Sequence, residues 1–150
     1  MNVAGVLKQK GSEVISVAPA TTVREIAALI TSRRIGAVVV IDGEQTLAGI
    51  VSERDLVKAL ASAGEAALAM TAADIMTREL TVASPKTTID EAMGLMDAGY
   101  FRHLPVVDNG AMVGIISVRD VVRAHIQHQE YEVDTLKSFV LRGAPADGLR

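Results

Sequence analysis

The chain has 150 residues, 49% of them apolar, a net charge of −3, 3% aromatics and no cysteine. This length and apolar content suit one compact domain with ample core material, while the missing cysteines exclude disulfides, thiolate nucleophiles and thiolate metal sites. The acidic balance and scarce aromatics argue against a basic, base-stacking surface for nucleic acid. No apolar run nears the roughly 18 residues of a membrane span. The N-terminus lacks a signal-peptide pattern, so a soluble cytoplasmic protein is expected.

The first readable element follows Thr21-Thr22. Val23, Ile26, Ala27 and Ile30 fall at i, i+3, i+4 and i+7, the stripe of an amphipathic helix, with a threonine hydroxyl to cap it and Glu25 in its first turn. Ile35 to Ile41 is an unbroken, β-branched apolar run, predicted to be a buried strand. Asp42-Gly43 turns the chain, Leu47 to Val51 returns as a second strand, and a helix begins at Glu53. The Ala-rich stretch 61–73 favours a partly helical connection. A second series follows. Its helix carries Ile89, Ala92, Met93 and Met96, its strands are Leu104 to Val107 and Met112 to Ile116 around an Asp108-Asn109-Gly110 turn, and its last helix opens at Val118. Ile126, Val133 and Val140, with Leu136 between them, predict an amphipathic helix from about Ala124 to Leu141. Residues 142–150, with two glycines and a proline, are expected to be a frayed tail.

The two series are one unit written twice. Gly49-Ile50-Val51-Ser52-Glu53-Arg54-Asp55 returns as Gly114-Ile115-Ile116-Ser117-Val118-Arg119-Asp120, 65 residues on. Pro19-Ala20-Thr21-Thr22 returns as Pro85-Lys86-Thr87-Thr88, 66 residues on. Each unit is predicted to be β-α-β-β-α, and units of about 60 residues are expected to bury their cores against each other. The Gly-Ile-x-Ser-x-Arg-Asp junction carries what chemistry there is. Its glycine is expected to let a ligand approach the backbone. Its serine stands where the next helix opens, with free amides suited to an anion or a sugar oxygen. The aspartate one turn on can accept from ribose hydroxyls, and the arginine is a forked cation suited to phosphate. Ser-x-x-Asp is equally an ordinary helix cap, and both readings stand at this point.

These motifs, supported by Asp74-Ile75-Met76-Thr77 and Phe101-Arg102-His103-Leu104-Pro105, resemble a tandem pair of CBS domains, the Bateman module, over residues 3–125. The resemblance implies an α+β fold of two β-α-β-β-α repeats related by a pseudo-twofold, here 1–60 and 74–125, joined by 61–73 and followed by a C-terminal helix, 126–141. It implies a non-catalytic sensor binding AMP, ATP, NAD, S-adenosylmethionine or a similar adenosyl ligand between the repeats. Carried over by position, Asp55 and Asp120 would hold ribose, Ser52 and Ser117 would sit near ribose or phosphate, and Ile50 and Ile115 would line the adenine slot. Arg54 and Arg119 accompany them. Phe101, Arg102 and His103 match the phosphate-facing segment, and their first-copy counterparts Ile35, Gly36 and Ala37 carry no cation. The site using Arg102 and His103 is therefore expected to be the better equipped for phosphate.

Two other readings are a purely structural dimerisation module and a small hydrolase, though no serine sits in a Gly-x-Ser-x-Gly elbow. His125 and His128 at i, i+3 read as a polar helix face, since no third metal ligand is evident. Leu56, Val57, Leu60, Val121, Val122 and the 126–140 stripe exceed the apolar surface one junction needs, which predicts a homodimer. No nucleic-acid or membrane partner is expected.

Overall fold

The computed structural model describes residues 1–141; the expected tail, 142–150, lies outside the described residues. The first unit runs β1 (Ser16–Val17), α2 (Val23–Arg33), β2 (Ala37–Asp42), β3 (Thr46–Ser52) and α3 (Glu53–Ala63). A 3-10 segment, Gly64–Ala69, follows, then the short α4 (Ala72–Ile75). The second unit runs α5 (Ile89–Gly99), β4 (His103–Asp108), β5 (Ala111–Ser117) and α6 (Val118–Leu141). One helix precedes them all: α1 (Val3–Lys10).

The helix starts are set by their caps. Thr22 Oγ1 accepts from the Glu25 amide at 3.2 Å, and Thr88 Oγ1 accepts from the Glu91 amide at 3.1 Å while Glu91 reaches back to the Thr88 amide. The apolar runs become strands buried on both faces. Val38 and Val40 of β2 point into the helices, with Ile26, Ile30 and Val51. Ala37 and Val39 point the other way, to the seam between the sheets, with Ile50, Leu47, Met112 and Ile115. Burial on two faces is why the run does not alternate with polar residues.

The first sheet has the order β1-β2-β3, with β1 parallel and β3 antiparallel to β2. The second keeps only β4-β5 as strands, its expected opening strand reduced to a single parallel bridge, Ala83 to Val106. Proline explains the loss. In the first unit the Val39 amide donates to Ile15 O at 3.2 Å; the counterpart of Val39 is Pro105, which has no amide to donate. Both hairpins carry a register shift at the same place, Val40/Ile41 and Val106/Val107.

The packing units are not contiguous in sequence. The Val3, Val6 and Leu7 side chains of α1 lie in the second unit's core, beside Ile89, Ala92, Met96, Leu104 and Val106. Ala72, Ile75 and Met76 lie in the first unit's core. Main-chain bonds tie each graft down: the Val3 amide to Thr87 O at 2.8 Å, and the Ala72 amide to Thr21 O at 2.7 Å. Helix α1 was not among the sequence-predicted elements, although the Asn2 cap on the Gly5 amide and apolar residues at i, i+3 and i+4 were there to be read.

The last helix also differs. The expected break between the second unit's closing helix and the 126–141 helix does not exist, and α6 is continuous for 24 residues. In the first unit Gly64, at φ 58°, ends α3 by donating its amide to Leu60 O. Gln129 stands at the matching place and supplies no such stop.

Candidate functional site

Two clefts open along the seam between the units. The first, about 700 Å³, sets Ile50, Ser52, Arg54 and Asp55 of one unit against Phe101, Arg102, His103 and Pro105 of the other, with Lys58, Thr77, Glu79, Thr81 and Tyr100 around them. The second, about 930 Å³, sets Ile115, Ser117, Arg119 and Asp120 against Ile35, Gly36 and Ala37, with Lys10, Arg34, Arg123 and Gln127. Every sequence-predicted site residue lies in one cleft or the other, each junction facing the opposite unit.

The local geometry follows from the strand-to-helix junction. Asp55 Oδ2 accepts from the Ser52 amide at 2.8 Å and from Ser52 Oγ at 3.0 Å, and Ser52 Oγ accepts from the Asp55 amide at 3.4 Å. Asp120 Oδ2 accepts from the Ser117 amide at 2.8 Å, and Ser117 Oγ from the Asp120 amide at 3.2 Å. The Ser-x-x-Asp pair is thus a reciprocal cap in both units, and its groups face the clefts while serving that role. The junction glycines do not serve a ligand, contrary to expectation. A Cβ on Gly49 would stand 2.7 Å from Met76 Sδ and Thr77 O, and one on Gly114 would stand 2.7 Å from Leu7 Cδ2. What approaches each backbone is the grafted segment, so these positions are small to admit it.

A second correction concerns charge. Arg102 and His103 do not belong to one site; with Gly36 and Glu53 they form the wall between the clefts and line both. The His103 ring packs 3.1 Å from where a Gly36 Cβ would stand. The cation excess lies in the cleft built on Ile35, Gly36 and Ala37, because other elements supply what that stretch lacks. Lys10 comes from α1, Arg34 from the left-handed end of α2 at φ 54°, and Arg119 and Arg123 from successive turns of α6. With Arg102 these make five cations against Glu53 and Asp120. The first cleft is balanced, with Arg54, Lys58 and Arg102 against Glu53, Asp55 and Glu79.

Burial pushes His103 below the ordinary histidine value, the pull of Glu53 notwithstanding. Burial alone would raise Asp120, but the Lys10 hydrogen bond and charge and the Ser117 amide outweigh it, so the carboxyl sits below its usual range. Lys10 Nζ donates to Asp120 Oδ2 at 2.7 Å and to Ile115 O at 2.9 Å. Sequence reasoning missed Lys10 because nothing local links residue 10 to residue 120. Away from the clefts, His125 lies 3.8 Å from Asp90 and His128 lies 3.2 Å from Glu132, each turned to its own carboxylate. Among the described residues no group of three or more His, Cys, Asp or Glu could hold a metal ion, and no helix is long and apolar enough to cross a membrane.

The family model for the CBS domain matches residues 10–62 and, again, residues 72–126. The chain belongs to the CBS-domain family. Its fold is similar to that of the CBS-domain containing protein ATU1752 from Agrobacterium tumefaciens, at 41% identity and a TM-score of 0.81, covering 83% of this chain and 99% of that one. It is similar to the CBS domain pair of protein MJ0100, solved in complex with 5′-methylthioadenosine and S-adenosyl-L-methionine, at 25% identity and a TM-score of 0.76, covering 85% and 98%. The CBS domain-containing protein CBSX3, mitochondrial, of Arabidopsis thaliana is 36% identical over 81% of this chain, and the match spans 61% of that protein's length. The two clefts are therefore clefts of a CBS pair, each shared by both CBS repeats.

Proposed function

We propose that this CBS pair is a non-catalytic cytoplasmic sensor that binds an adenosine-containing ligand, such as AMP, ATP, NAD or S-adenosylmethionine, in the clefts between its repeats. The observation that carries this reading is the crossed geometry: each Ser-x-x-Asp junction faces the opposite repeat across an apolar floor of Ile50 or Ile115. The adenosyl ligands of the MJ0100 pair, which shares the fold, support it. Asp55 and Asp120 are the acceptors for ribose hydroxyls. Arg102, on the dividing wall, serves phosphate on either side, with Arg54 in the first cleft and Arg119 in the second.

Calorimetry and thermal denaturation of ligand-free protein with AMP, ATP, NAD, S-adenosylmethionine and, as a control, GMP test the reading. Micromolar-order binding of an adenosyl ligand is expected, with a melting temperature that climbs with ligand concentration because only the native cleft binds. Asp55→Ala and Asp120→Ala each cost about 1.5–3 kcal/mol of affinity, at different clefts. No heat and no thermal shift with any adenosyl ligand overturns the proposal.

The same reading makes the protein a homodimer. Of the apolar surface expected there, Leu56 and Val121 pack into the two cores instead, while Val57 and Leu60 on α3, and Val122, Ile126, Val133, Leu136 and Val140 along α6, are exposed apolar side chains. Light scattering over a range of concentrations is expected to give twice the chain mass; the chain mass throughout removes the dimer.

A further inference from the structure

The two clefts hold the same acceptors but different donors. In the first cleft, Thr77 fills both: its amide donates to Ile50 O at 2.9 Å and its hydroxyl to Asp55 Oδ1 at 3.2 Å. In the second, Ile115 O and Asp120 Oδ2, the oxygen that also accepts from the Ser117 amide, both receive one ammonium, Lys10 Nζ, at 2.9 and 2.7 Å. Thr77 is fixed, because its amide and carbonyl both bond Ile50 and its carbonyl lies against Gly49. Lys10 is the last residue of α1, and its side chain is 33% exposed. Its charge rides on a flexible four-carbon stem, so it can leave without breaking a strand.

We propose that Lys10 is a displaceable plug that makes the second cleft selective for phosphorylated adenosyl ligands, leaving the first cleft open to charged and uncharged ones alike. This rests on reading the clefts as adenosyl sites. An uncharged nucleoside whose diol spans both oxygens of Asp120 must evict the ammonium from Oδ2, in a carboxylate whose side chain is only 17% exposed. It offers that ammonium nothing in return, and hydroxyls are weaker donors to a carboxylate than a cation is. A ligand carrying phosphate offers Lys10 a new acceptor, within a cleft that also holds Arg34, Arg102, Arg119 and Arg123. Lys10 then exchanges one anion for another, and Asp120 is released for the sugar. The selectivity is the difference between these two exchanges. At Asp55 the standing donor is a neutral hydroxyl, so no such toll separates charged from uncharged ligands there.

The test uses the full chain carrying Asp55→Ala, which weakens the first cleft so that calorimetry reads the second. Adenosine and ATP are titrated into this protein and into versions that add Lys10→Met or Lys10→Arg. Without a change at Lys10, ATP is expected to bind far more tightly than adenosine. Lys10→Met is expected to tighten adenosine about tenfold or more, the worth of one charge-assisted hydrogen bond, and to weaken ATP, so that the ratio collapses. Lys10→Arg restores the preference. An ATP-to-adenosine ratio unmoved by Lys10→Met, with both ligands still binding, overturns the plug and leaves the adenosyl reading intact. If neither ligand binds any of these proteins or the unsubstituted chain, both fall.

Discussion

The two CBS repeats keep one region almost identical and let their ends diverge. The strand pairing of the hairpin, its register shift, the Ser-x-x-Asp cap and the small glycine beneath it recur at matching positions in both. The first repeat adds a proper opening strand and a helix ended by Gly64, whereas the second has one bridge and a helix that runs on for 24 residues. The difference shows which parts the shared architecture demands. The junction is held by a reciprocal cap and by a graft from outside its own repeat, so a change there disturbs two structures at once. The ends carry neither constraint, and they differ where Pro105 stands in place of Val39 and Gln129 in place of Gly64.

The exchanged helices offer the strongest way to break this comparison. Leu104 is fully buried in the second repeat's core, and Leu104→Ala is expected to cost about 2–5 kcal/mol. Because α1 and α4 knit each repeat to the other's segment, both should lose stability together. Amide exchange at Val38 and Val40, in the first repeat, is expected to quicken in step with exchange in β4. A first repeat that keeps its full protection shows two separable halves.

The junction glycines sharpen it further. Gly49→Ala and Gly114→Ala both overpack, at about 1–3 kcal/mol. Gly49 should stand at the upper end, since it meets the rigid Thr77 carbonyl, and Gly114 at the lower, since it meets the movable end of Leu7. Urea unfolding midpoints give the order, and the reverse order would mean that Leu7 is the less yielding neighbour.

The smallest effect is a pH dependence carried by His103 and Asp120, both residues of the second repeat. His103 is held below its ordinary value of 6.5, so the unfolded chain binds its proton first. Its contribution to stability is complete above that value and drains as pH falls through the lowered one. Asp120, lowered from 3.8, contributes above that value and loses its share only in stronger acid, as pH falls through its own lowered one. His103→Gln is expected to flatten urea midpoints over the interval just below pH 6.5, leaving the loss in stronger acid. An unchanged slope in that interval assigns it to other groups. Ala37, the counterpart of His103 in the first repeat, has nothing to titrate.

Much of this was legible in the sequence because the signals were local. The caps at Thr22 and Thr88, the apolar run from Ile35 to Ile41, and the duplicated junction each sit within a few neighbouring residues. That the two junctions would serve clefts between the repeats followed from the family resemblance and not from spacing; which residues of the other repeat each one faces came from the fold. What escaped was non-local. Lys10 meets Asp120 only because α1 crosses to the other repeat, and Gly49 is small on account of Met76, which no window around residue 49 contains. The lost strand could have been suspected from Pro105, but only by knowing which of its faces needed an amide.

The unbroken α6 has a mechanical consequence. Its base carries Arg119, Asp120 and Arg123 in the second cleft, and its far end stands clear of the core. Twenty-four residues make a rod of about 36 Å. On such a lever a tilt of about 10° at the base sweeps the tip through about 6 Å, so small adjustments beside Asp120 are written large at Leu141. The first repeat, whose helix is cut at Gly64, has no pointer of this kind.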